Sequence, residues 1–303
     1  LVGGSSPAAS AVKSFHERRE GLKSTLQFDY ITVGHVTVDV LEDGSRRPGG
    51  TALYSALQAA RLGLRALILT RGEPGEIESM LEPWASELEL RVQPAAETTT
   101  LATSGSGAQR TQRLLAWAGP IVPEDQAACA ILHLAPVAAE LPRPWPRGGR
   151  LLGLTPQGLA RSHPEPGGVV HATVPEAAAI AQADRVDVLV ISQREHAVCA
   201  ELIERARAAG ALIAVTDGDR PTTILPPGGE PIELPVHLLE RAADDLGAGD
   251  VFAAALFTGL AEGRSPARAG ALANAAAAMR MRGTGPEAIA RRAEIEASLQ
   301  PAG

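Results

Sequence analysis

The chain has 303 residues, enough to bury roughly three quarters of its unfolded surface without disulfides or a structural metal. It is 45% hydrophobic but only 3% aromatic, so Ala, Leu, Val and Ile must build the core, as in helices packed on a buried sheet. A net charge of −7 opposes a non-specific nucleic-acid surface, and among 28 basic residues only Lys13 and Lys23 are lysines, which excludes Walker A NTPases, protein kinases and pyridoxal enzymes, each of which needs a lysine beside its phosphates or cofactor.

Residues 1–27 read as a poorly ordered tail with one short helix around KSFHERREGLKS. From Phe28 the β-branched run FDYITVGHVTVDVLEDG predicts a strand, a break at Gly34 and a second extended piece ending in an Asp-Gly turn. TALYSALQAARLG, between Gly50 and Gly63, has the spacing of a helix. RALILT, ACAILHLA, RLLGLT, VDVLVIS and ALIAVTDG are short buried strands separated by helical stretches such as EHAVCAELIERARAAG. Such alternation predicts a mostly parallel sheet in an α/β/α sandwich. TTTLATSGSGAQRTQRLLAWAG predicts an antiparallel hairpin, and segments of about 36–48 and 97–118 would form a small lid. Three helical stretches, VFAAALFTGLAEG, SPARAGALANAAAAMRMRG and PEAIARRAEIEASL, close the chain.

No run of about 18 apolar residues is present to span a bilayer. Cys129 and Cys199 sit in aliphatic surroundings, far apart, and read as buried thiols in a reducing, cytoplasmic setting. His133 and His163 fit no metal spacing and read as structural.

The sharpest local feature is Asp244-Asp245-Leu246-Gly247-Ala248-Gly249-Asp250 ahead of a helix. Glycines at a helix start let backbone N–H groups converge on an anion, and the helix dipole favours negative charge there. Asp250 in the first turn could take a proton from an attacking hydroxyl. The same spacing also describes an N-capped helix after a glycine turn. As a dinucleotide fingerprint it fails, because it lies far from a first βα turn and lacks the third small residue.

DDLGAGDVF resembles the C-terminal signature D-T-x-G-A-G-D-x-F of the PfkB, or ribokinase-like, carbohydrate kinases, and PGGTALYSALQAARLG resembles their N-terminal one. The two lie in the expected order, and the resemblance spans roughly residues 28–300. It implies a kinase that transfers the γ-phosphoryl group of ATP, with Mg2+ and an optional monovalent cation, to a small sugar, polyol or nucleoside. It further implies roles for individual residues: Asp250 as base, Gly247, Ala248 and Gly249 as anion hole, and Asp39, Gly49 and Gly50 around the substrate. Thr216, Gly218 and Asn274 would meet the nucleotide, and Glu195 would organise magnesium through water.

Departures from the pattern are informative. Tyr54 stands where the family often has a substrate-contacting Asn, Ser192 replaces the Asn of N-x-x-E, Asp245 stands where Thr is usual, and Pro221 falls near a Gly-rich turn. Arg161 in LTPQGLAR, four residues after Gln157, is a candidate phosphate contact, since a guanidinium can bridge two phosphate oxygens. Arg110 and Arg113 on the lid arm could reach the substrate or stay solvated, and Trp117 could pack over a substrate or within the lid. Trp84 and Trp145 lie far from it in sequence. The expected partner is a small hydroxylated molecule, with no nucleic acid or membrane, and a homodimer through the lid is an option. The rival reading is a non-catalytic sugar or nucleotide sensor, which would not need a positioned base.

Overall fold

The computed structural model describes residues 26–123, 128–141, 144–162, 165–236, 239 and 242–300. Nearly all of the expected tail, with its short helix, and His163 lie outside these residues.

In chain order the elements are β1 (Phe28–Val33), β2 (Thr37–Val40), β3 (Arg46–Gly49), α1 (Thr51–Arg61), β4 (Ala66–Gly72), α2 (Pro74–Leu81), β5 (Leu88–Pro94), β6 (Thr100–Ser104) and β7 (Thr111–Ala116). They continue with β8 (Cys129–Leu134), β9 (Gly149–Leu154), α3 (Ala177–Ile180), β10 (Val188–Ser192), α4 (Gln193–His196), α5 (Ala200–Ala208) and β11 (Leu212–Asp217). The last are β12 (Arg220–Leu225), β13 (Ile232–Leu234), α6 (Ala248–Ala261), α7 (Pro266–Arg280) and α8 (Arg292–Ser298).

Nine strands form the main sheet in the order β13-β12-β11-β10-β9-β8-β1-β4-β5. All neighbours from β11 to β5 are parallel, while β12 and β13 add antiparallel. Alternate strand residues feed two cores, which is why these strands read as continuous apolar runs. Tyr30, Ile68, Ile131, Leu151 and Val190 pack with α1, α6 and α7 through Leu53, Leu57, Phe252, Leu256 and Leu272. Ile31, Leu67, Leu132, Leu152 and Ile191 face the other way, toward Ala179, Leu202 and Ile203. This is the expected three-layer α/β/α sandwich.

A second sheet of four strands, in the order β3-β2-β6-β7, covers one end. The predicted lid therefore holds more than a hairpin: β6 and β7 pair as one, but β2 pairs with β6 in parallel across some sixty residues of sequence. A parallel, long-range pairing leaves no local turn signal. Among the described residues no helix is long and apolar enough to cross a membrane.

Candidate active site

Strand order reverses between β1 and β8. In an open α/β sheet such a reversal leaves a crevice beyond the carboxyl ends of the strands. The lid departs from the end of β1, directly above it.

α6 starts at the floor of this crevice. Its N-cap, Gly247, is left-handed (φ 80°), and a Cβ there would lie 2.3 Å from the Tyr54 ring. Conformation and space both demand glycine. At Gly249, by contrast, a Cβ would meet nothing within 4 Å, and the residue is exposed. The first helical turn thus faces open room, with amides that the helix itself cannot satisfy and the positive end of its dipole. The Ala248 N–H donates to Asp245 O at 3.3 Å, which leaves its neighbours as the better donors of the predicted anion hole.

Asp250 sits half-buried in that turn, its pKa pushed up to about 6. Burial is the main cause, opposed by the Thr51 hydroxyl and the Arg161 guanidinium and reinforced by the charges of Glu195 and Asp39. These interactions put on one site five residues that are scattered through the sequence. Arg161, half-buried, feels Glu195, Asp250, Arg110 and Asp39 in turn; burial draws its pKa down and the three carboxylates draw it up. Its Nη1 donates to Val137 O at 3.3 Å, and a short bridge to Ala172 holds its backbone.

Asp39, on β2, is 4% exposed. Burial raises its pKa, while the Thr37 hydroxyl, bonded to Oδ1 at 2.9 Å, and the charges of Arg47, Arg161 and Arg110 lower it. A Cβ on Gly49 would fall 2.2 Å from the Asp39 carboxylate. Glycine here leaves room for the acid, a tighter role than that of a simple turn. Gly50 caps α1 beside it.

Ser192 and Thr216 are register partners at the ends of β10 and β11. Ser192 donates its hydroxyl to Glu195 Oε2 at 2.6 Å and its N–H at 3.3 Å, closing a capping box around α4. The replacement of Asn by Ser is therefore accommodated by direct capture of Glu195. Gly218 makes the left-handed turn from β11 to β12 (φ 64°). Among the described residues no group of three His, Cys, Asp or Glu could hold a metal ion. A magnesium ion here would depend on donor phosphates, with Glu195 as an outer partner, which suits the carboxylate's place beside Arg161.

Two expected contacts take a different form. Tyr54 is 2% exposed, its ring closed off by Gly247 on one side and by the Arg280 guanidinium, 5.2 Å from the centroid, on the other. It supports the loop and presents no open face to an acceptor. Asn274 is 5% exposed, its Oδ1 accepting from Thr222 Oγ1 (2.8 Å) and its Nδ2 donating to Pro235 O (3.0 Å). The amide ties α7 to β12 and the segment after β13.

The lid arginines divide. Arg110 pairs with Asp245, which also accepts the Gly107 N–H at 3.0 Å, and Arg194 donates to Gly107 O at 2.5 Å. Arg113 instead donates to Gly167 O at 3.1 Å. Trp117 donates its indole N–H to Ala138 O (2.9 Å) and packs with Leu101, Leu114 and Val137. Trp84 and Trp145 are core residues. His133 is fully buried between the Tyr30 hydroxyl and Thr155, its pKa pushed down by burial to about 3. Burial raises the Cys129 and Cys199 thiols to about 12.

Sequence reasoning missed Arg47, Arg280 and Glu140. Arg47 pairs with Asp244 at 2.9 Å. Glu140 is fully buried, and its carboxylate accepts the N–H groups of His35, Val137 and Ala138 (2.7–3.0 Å), fixing the loops where β1 and β8 end. Only an unbroken apolar context around a lone acid could have marked it.

Residues 169–291 match the model of the pfkB family carbohydrate kinases. No curated protein matches the chain in sequence. Among solved structures, the fold is similar to a pyrophosphate-dependent kinase of the ribokinase family complexed with a pyrophosphate analogue and myo-inositol. That match has a TM-score of 0.72 and 21% identity and covers 88% of this chain and 99% of that one. Ribokinase of Arabidopsis thaliana, complexed with ribose and ATP, matches with TM-score 0.70, 15% identity and coverages of 91% and 99%. A Burkholderia thailandensis nucleoside kinase in complex with inosine matches with TM-score 0.71, 18% identity and coverages of 89% and 97%.

Proposed function

From a ribokinase-like fold whose C-terminal part matches the pfkB carbohydrate kinases, we propose that the chain is a phosphotransferase that moves the γ-phosphoryl group of ATP to a hydroxyl of a small sugar, polyol or nucleoside. The observation that carries this reading is Asp250. It is a carboxyl with a pKa of about 6 in the first turn of α6, one residue after a glycine that opens on free space. At neutral pH it is ionised yet basic enough to accept a proton. A sensor would gain nothing from it.

The acceptor hydroxyl attacks the γ-phosphorus as its proton passes to Asp250; the bond from that phosphorus to the bridging oxygen breaks, and ADP leaves with the electron pair. Charge on the transferring group meets the first-turn amides of α6 and the Arg161 guanidinium, neither of which can lose its positive character. A magnesium ion held by the donor phosphates would neutralise charge there, with Glu195 orienting its water. Asp39, buried beside Gly49, is suited to hold acceptor hydroxyls. The lid, latched through Gly107, Arg110 and Asp245, would exclude water that could otherwise take the phosphoryl group.

Pyrophosphate is a second donor reading. It is favoured by Asn274, whose amide is already bound at both ends, and agrees with a structural neighbour that uses pyrophosphate. The test is phosphoryl transfer from ATP and, separately, pyrophosphate to a panel of pentoses, hexoses, inositols and nucleosides. Phosphorylated product from either donor supports the reading; acceptor binding by calorimetry without product from either favours the sensor.

A further inference from the structure

We propose that Arg280 is a built-in cation that holds the anion-hole loop in its working shape, in the place where a free ion would otherwise be needed. The inference rests on the phosphotransferase reading for its kinetic consequence but not for its geometry.

Arg280, the last residue of α7, has no exposed surface. Oxygen meets both terminal nitrogens of its guanidinium: Nη2 donates to Leu246 O (2.7 Å), Asp244 Oδ2 (3.0 Å) and the Tyr54 hydroxyl (3.5 Å), and Nη1 to Gly283 O (3.0 Å) and Asp244 O (3.5 Å). Three backbone carbonyls and a carboxylate around one buried positive charge are the surroundings that a hard cation would take from a protein. Here the charge is covalently attached, planar and permanent.

What the cage holds is specific. Asp244 and Leu246 lead directly into Gly247, and Tyr54, under the guanidinium, is the wall against which Gly247 packs. Asp244 also receives Arg47 from the lid and the Gly285 N–H. Fixing the carbonyls of residues 244 and 246 fixes the peptide planes that follow, and with them the direction of the amides at the start of α6. Arg280 touches neither crevice nor acceptor, so it is a positioning residue. Two consequences follow: the wild-type protein needs no monovalent cation, and removal of the guanidinium leaves an oxygen-lined hole that a small cation can enter.

Amide hydrogen exchange of Leu246, Ala248 and Val251, whose N–H groups are bonded within the loop and first turn, tests this in the full chain, comparing wild type and Arg280→Ala in tetramethylammonium, potassium and low-millimolar guanidinium chloride. Wild type should exchange slowly and equally in all three. Arg280→Ala should exchange about 10-fold or more faster in tetramethylammonium, as expected for lost charged hydrogen bonds, and be slowed again by guanidinium or potassium. Its kcat should fall by about the same factor with little change in acceptor KM. Wild-type exchange in Arg280→Ala, or wild-type exchange that slows several-fold on replacing tetramethylammonium with potassium, overturns the proposal. If Arg280→Ala does not fold, Arg280→Lys is read instead: a tethered ammonium lacks the planar fork that reaches Gly283 O through one nitrogen and Leu246 O through the other, so faster exchange than wild type is expected and equal exchange refutes the claim. Absence of phosphoryl transfer in wild type with every donor and acceptor would defeat the kinase reading alone, since the exchange result stands apart from it.

Discussion

At Asp250, stability and chemistry pull in opposite directions. Its folded pKa, about 6, lies above the ordinary carboxylate range because burial outweighs the help of Thr51 and Arg161. The folded state therefore favours the protonated acid, and the associated stability is lost as pH rises through about 6. Asp250→Asn removes that cost. It should leave Tm unchanged or raise it while lowering phosphoryl transfer by about 100-fold or more, the general-base scale. In wild type, kcat/KM should climb with pH through about 6 and then level; a profile flat from pH 5 to 8 would assign the base elsewhere. Arg161→Ala should weaken donor binding without changing the Tm of the ligand-free protein, since its side-chain bond to Val137 O is long; unchanged kinetics across a donor titration would remove it from the site.

At the scale of elements, the start of α6 separates folding from function within two residues. Gly247→Ala forces a side chain into a left-handed backbone and the Tyr54 ring, so it should lower Tm as well as activity. Gly249→Ala meets no protein atom and gains helix propensity of roughly 0.5–1 kcal/mol. Equal or higher Tm is expected by thermal melt, with turnover reduced about 10-fold or more because the methyl group occupies the anion's room. In the proposed mechanism the lid is held by its latch, and Asp245→Ala frees Arg110 and the Gly107 N–H together. Acceptor KM should rise several-fold, and donor hydrolysis without acceptor should increase. Unchanged hydrolysis would mean that the lid closes by other contacts.

For the whole molecule, six of the seven parallel strands, β1, β4, β8, β9, β10 and β11, were legible because strands covered on both faces are written as apolar runs between helices. β5, β12 and β13 were not, since LELRVQP, RPTTIL and IEL carry charge or proline at a sheet's flanks. The site was half legible. Asp250 and its glycines stand together in a motif, and Asp39 and Glu195 could be reached through resemblance. Arg47, Arg280 and Glu140 could not, because a buried charge is recognised by its partners and those lie far away in sequence: Glu140 serves His35 and Arg280 serves Tyr54. Tyr54 looked like a substrate contact for the same reason, its neighbours being Gly247 and Arg280. The scarcity of lysine now has a structural counterpart, as every cation identified around the crevice or behind its anion-hole loop is an arginine: Arg47, Arg110, Arg161, Arg194 and Arg280.

The most direct test is phosphorus NMR of reactions containing donor and acceptor panel with wild type and Asp250→Asn side by side. A new phosphate-ester resonance that forms with wild type, and about 100-fold more slowly with the variant, is the expected result. A resonance that grows at equal rates with both proteins, or with neither, would contradict a phosphotransferase built on Asp250.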